Sequence, residues 1–93
     1  MCEYQGTILE VDPACSGACE DCQWSSTVTT SMQGTTCVFS WSVTRKYCKN
    51  QVDKTWQGTT EVPCGESATT RFYCDQARRC AAYEMAYTAA PCP

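Results

Sequence analysis

The chain has 93 residues, ten cysteines, no histidine and a formal net charge of −3. Cysteine at this density in a short chain exceeds the roughly 8–10 % that marks a disulfide scaffold. The absent histidine excludes Ser-His-Asp and Cys-His nucleophiles and histidine-based ribonuclease or phospholipase chemistry.

The even cysteine count lets all ten pair: Cys2, Cys15, Cys19, Cys22, Cys37, Cys48, Cys64, Cys74, Cys80 and Cys92. Connectivity stays open among roughly 945 pairings. The cluster Cys15-x3-Cys19-x2-Cys22 lacks the second knuckle or the histidines of a zinc site, so no metal is expected. Cys19-Glu20-Asp21-Cys22 lacks the βαβ context of a redox pair. Disulfides of this density point to an oxidising compartment and a secreted, extracellular protein. Met1 directly precedes Cys2 without an apolar leader segment, and reads as an initiator on a mature chain. No apolar run approaches the ~20 residues of a membrane span. Asn50, followed by Gln51-Val52, forms no glycosylation sequon.

In chain order, Gly6–Val11 reads as a strand. Asp12-Pro13 resembles an N-cap followed by a first-turn proline, opening a short helix that carries Cys15, Cys19 and Cys22. The clearest signal is a hairpin, 24–31 paired with 36–44, in which β-branched and aromatic residues alternate with period two. A four-residue loop, Met32–Thr35, would set Thr30 against Cys37, Val28 against Phe39, Ser26 against Trp41 and Trp24 against Val43 on an apolar face. The other face is lined by hydroxyls. Thr59–Val62 and Thr69–Cys74 are further candidate strands. Asp75 can cap a C-terminal helix over about 75–89, rich in alanine and ending before Pro91, with Cys80, Tyr83 and Tyr87 as its docking stripe. The pattern apolar-Gln-Gly-Thr occurs at 4–7, 32–35 and 56–59 and reads as a reused glycine turn leading into a threonine strand. The expected fold is thus a single α+β domain over 1–93: a small antiparallel sheet, one C-terminal helix and five bridges.

Charge is uneven. Residues 1–22 carry five acids and no base, 23–44 carry no charge, 45–54 sum to +3, and 71–79 sum to +2. Two modest basic groups on an acidic chain make a poor partner for nucleic acid or an anionic membrane. A carboxylate pair for glycosidase chemistry needs a cleft that so small a stapled domain rarely has, so no enzyme and no cofactor are expected. The main reading is a monomeric binding protein, of effector, toxin, inhibitor or signal type, that engages an extracellular protein target. Arg45, Lys46, Tyr47 and Lys49 leave the hairpin beside Cys48 and are of residue types enriched at interfaces. The alternative is a small glycan-binding module using Trp56, Gln57 and Tyr4 to stack on and hydrogen-bond a sugar. No known family motif is present.

Overall fold

The computed structural model describes residues 1–93. It contains six strands: β1 (Cys2–Ile8), β2 (Gln23–Gln33), β3 (Thr36–Lys46), β4 (Lys54–Pro63), β5 (Ser67–Tyr73) and β6 (Ala81–Ala89). They form two antiparallel three-stranded sheets, ordered β1-β6-β5 and β2-β3-β4. The sheets face one another, with β1 against β2, β3 against β6, and β4 against β5 and β6. The molecule is elongated, 48 × 21 × 18 Å.

The expected C-terminal helix is absent, and the fold is all-β rather than α+β. The segment 75–89 is a loop followed by β6, the central strand of the first sheet. Its side chains alternate: Tyr83, Met85, Tyr87 and Ala89 are buried while Thr88 is exposed. Alanine favours helix only weakly, and ladders to β1 on one edge and β5 on the other outweigh that preference. Asp75 does accept backbone N–H groups, but from Arg79 and Cys80, which closes a loop instead of opening a helix. Near the N-terminus, Asp12 caps as expected, its Oδ1 accepting from the Ala14 N–H at 2.8 Å. What it caps is a single 3-10 turn, Pro13–Cys15, rather than a helix.

The hairpin forms with longer arms and a tighter turn. Only Gly34 and Thr35 connect β2 to β3, with Gly34 at φ 61°. Shortening the loop slides the register by two residues: Trp24 faces Arg45, Ser26 faces Val43, Val28 faces Trp41 and Thr30 faces Phe39. A slip of two keeps every side chain on its face, so the apolar and hydroxyl faces survive.

Inside the sandwich, Phe39 and Tyr87 are fully buried and pack with ring centroids 4.9 Å apart. Toward the far end Trp24 stacks between Tyr83 (5.7 Å) and Trp56 (6.0 Å). Phe72 contacts Trp41, Trp56 and Tyr83. The Tyr83 hydroxyl lies 2.8 Å from the Ser26 Oγ, joining the sheets.

Only one of the three Gln-Gly-Thr segments is a turn. Gly6 and Gly58 lie within strands beneath the Tyr83 hydroxyl and the Trp41 ring. A Cβ on Gly58 would sit 2.5 Å from Cζ2 of Trp41, whose Nε1–H donates to Thr60 Oγ1 at 3.0 Å. Gly58→Ala should therefore displace that ring and cost about 1–3 kcal/mol by overpacking. Gly17→Ala, facing open space, should stay within about 0.5 kcal/mol of the parent. Thermal unfolding of the two oxidised variants checks this, and equal transitions would refute it.

Candidate functional site

All ten cysteines are paired. Cys2–Cys37 and Cys64–Cys92 close the end of the sandwich near the β2–β3 turn. The other three bridges share one partner segment: Cys15–Cys80, Cys19–Cys74 and Cys22–Cys48. Residues 13–22 thereby staple the loop 47–53 and the loop 74–80 to one base at the opposite end. Backbone and amide bonds reinforce the staple, from Lys49 N–H to Glu20 O (2.9 Å) and from Gln51 Nε2 to Ala18 O (2.6 Å). Cys15, Cys74, Cys80 and Ala82 form a small second core there, against which Trp24 packs.

Between those two loops opens a cleft of about 540 Å³, bordered by Asn50, Gln51, Lys54, Trp56, Asp75 and Gln76. A second hollow of about 370 Å³ continues it past Lys54 and Trp56 to Arg71, Tyr73 and Arg78. The two basic groups of the sequence, 45–54 and 71–79, thus meet across one groove.

Arg45 forms the cleft's inner wall. Its Nη1 donates to Cys74 O (2.9 Å) and its Nη2 to Val52 O (3.0 Å), so one guanidinium ties both loops. It is only 6 % exposed. Arg45 thus lies in the interior wall of the cleft rather than on the open surface, because its position two residues beyond inward-facing Val43 carries it there. Its charge meets the Trp56 ring, 5.6 Å from the centroid, with Lys54 Nζ 5.1 Å from the same ring.

The other expected contact residues disperse. Lys46 is exposed at the end of β3. Tyr47 is 61 % exposed at a positive φ of 66°, its N–H donating to Asp53 Oδ1. Lys49 pairs with Glu20 at 3.6 Å. Sequence reasoning missed Lys54, Asn50, Gln76 and Arg78. Their charges and amides were visible, but nothing local joins residues twenty or more positions apart.

Asp75 supplies the cleft's one carboxylate. Burial pushes its pKa up, but the N–H groups of Cys80 and Arg79 and the Arg79 charge outweigh that and hold it below the usual range. Arg71 is held above its ordinary value by the hydrogen bond and charge of Glu84, at 2.8 Å.

The glycan set does not assemble. Trp56 faces inward, stacked on Trp24 with Phe72, Arg45 and Lys54 around it, and is half-buried in the cleft wall rather than standing free as a platform. Gln57, one residue on, faces the opposite side of the sheet. Tyr4 lies on β1, which packs against β2, whereas Trp56 is on β4, packed against β5. Gln57 instead lines a shallow trough of about 450 Å³ on the outer hydroxyl face, with Thr27, Thr29, Ser40, Ser42 and Thr59. Hydroxyls already bonded to water gain little net energy from a new partner.

No helix is long and apolar enough to cross a membrane. No protein-family model matches the chain, and neither curated proteins nor solved structures show significant similarity to it.

Proposed function

We propose that this is a secreted, non-catalytic, cysteine-rich binding protein that engages an extracellular protein target through the stapled loop end. The observation that carries this reading is the cleft between loops 47–53 and 74–80, both bonded to residues 13–22 by three disulfides. Loops fixed in advance lose little conformational entropy on binding, so their contacts convert into affinity. Arginine, tyrosine and tryptophan, concentrated here, are the side chains that most often dominate protein interfaces. Trp56 is half-buried against Trp24, and neither Gln57 nor Tyr4 lies beside it, which counts against a sugar platform and favours the protein reading.

The test places a photo-cross-linking residue at Gln76 in the oxidised protein and exposes it to extracellular fluid and intact cell surfaces. Tryptophan fluorescence is followed in parallel against soluble glycans. A discrete protein adduct is expected, competed by unlabelled protein and lost in Lys54→Glu, with no response to glycans. A saturable fluorescence shift with one polysaccharide and no adduct would replace this reading with carbohydrate binding.

A further inference from the structure

We infer that the inner end of the cleft is a carboxylate-binding site, built to receive an acidic side chain of the protein target between Arg45 and Lys54. This rests on the cleft being the binding site proposed above.

Arg45 is more than nine-tenths buried, yet no carboxylate lies within ion-pairing distance of it. Lysine can relieve such a situation by losing its proton, but a guanidinium stays charged in proteins. Of its five N–H donors, bonds to two carbonyl oxygens engage only part. Its Nε is the one buried side-chain polar atom in the molecule without a partner. Carbonyl dipoles and the face of Trp56 offset part of the charge, but nothing cancels it. Uncompensated buried charge is costly, and a site that retains one gains most from a ligand that brings the opposite sign.

The surroundings fit that ligand. Lys54 adds a second cation on the same wall, over the same indole. Arg78 extends the positive potential along the adjoining hollow, its guanidinium 5.1 Å from the Tyr73 ring centroid. Asp75 does not neutralise Arg45, because its Oδ1 already accepts from the Arg79 and Cys80 N–H groups and its Oδ2 lies 3.8 Å from the Arg79 side chain. A guanidinium N–H left over by the two carbonyls is a charge-assisted donor to a carboxylate. Asn50, Gln51 and Gln76 line the approach with amides suited to peptide N–H and C=O groups. The volume falls within the ~300–1,000 Å³ of ordinary ligand sites. Neither Gln57, on the opposite side of the sheet, nor Tyr4, on β1, stands beside Trp56 to hold a sugar ring, which favours a peptide as the source.

The experiment titrates the ¹⁵N-labelled oxidised protein at low ionic strength with N-acetyl tetraglutamate amide. Tetraglutamine, trigalacturonate and inorganic phosphate serve as comparisons. The Arg45 Nε–H, the Trp56 indole N–H and the amides of 50–54 and 74–78 are followed. The glutamate peptide should shift these resonances saturably, tetraglutamine should not, and Lys54→Gln should weaken binding roughly tenfold. Arg45→Met, if it folds, should abolish the shifts; the Lys54 variant, altering an exposed side chain, decides the matter if it does not. Unmoved resonances, or equal response to tetraglutamine, overturn the inference. Tighter binding of trigalacturonate or phosphate overturns the peptide assignment. If the peptide is silent while the cross-link at position 76 forms, the carboxylate site falls and the protein-binding reading stands. If the peptide binds but no protein adduct forms, the anion site stands and the protein-target assignment falls.

Discussion

Full reduction should unfold this protein at 25 °C without added denaturant. The five bridges close segments with sequence separations of 26, 28, 35, 55 and 65 residues. Chain-entropy arguments give each, taken singly, about 3.5–4.5 kcal/mol, while a whole domain's stability is commonly ~5–15 kcal/mol. Only 16 of the 93 residues are buried, too small a core to hold the fold once all five constraints are lost. Far-ultraviolet circular dichroism of the reduced, alkylated chain should show the loss of β structure. The bridges should also differ in kind. Replacing Cys64 and Cys92 by alanine should loosen one end while the strand ladders persist. Replacing Cys19 and Cys74 should loosen residues 13–22, which no ladder retains and which Cys15–Cys80 and Cys22–Cys48 then tether only at their two ends, and relax the cleft with them. Amide hydrogen exchange distinguishes the two patterns. A cooperative transition unchanged by complete reduction would refute the view that the bridges hold the fold.

Tyr83→Ala should be the most damaging single change outside the cysteines, costing about 3–5 kcal/mol. The ring stacks on Trp24, contacts Phe72 and carries the hydroxyl that bonds Ser26 across the sheets. Removing it leaves a void that the two stapled sheets cannot close by collapsing. The melting temperature of the oxidised protein should fall on the order of 15 °C. Tyr83→Phe retains the ring and should lose only the hydroxyl's share, about 1 kcal/mol. The effect reaches the cleft, because Trp24 links Tyr83 to Trp56, and loss of the stack should broaden the Trp56 indole resonance. A loss below about 1 kcal/mol for Tyr83→Ala would show that the aromatic stack is peripheral to stability.

Local patterning made the hairpin and its two faces legible. Period-two alternation from Trp24 to Thr44 assigns each side chain to a face even when the turn is taken two residues too long, because a slip of two preserves the side. The same alternation ran through Tyr83, Met85 and Tyr87, but Cys80, Tyr83 and Tyr87 fit a helical stripe equally well in an alanine-rich segment. What decided in favour of strand was pairing with β1 and β5, which lie far away in sequence. Alternation also carried the clue to Arg45. It shares a face with Trp41 and Val43, yet beside Lys46, Tyr47 and Lys49 it reads as a surface contact. The pairing of the cysteines and the meeting of the two basic groups depend wholly on tertiary closure, and no local spacing encodes either.

The order of strands in the first sheet also governs how the protein is made. Residues 23–63 form a contiguous meander that can assemble as soon as it leaves the synthetic machinery. β1 cannot find its ladder then, because its partner β6 spans 81–89 and follows the other five strands in the chain. Until that moment the first strand is an unpaired edge, open to association with other chains. Cys2 offers a way to park it: its bridge partner, Cys37, belongs to β3 of the early meander. Oxidation of that pair before β6 is made would hold β1 against the opposing sheet, where its own sheet later assembles, and turn a long search into a short one.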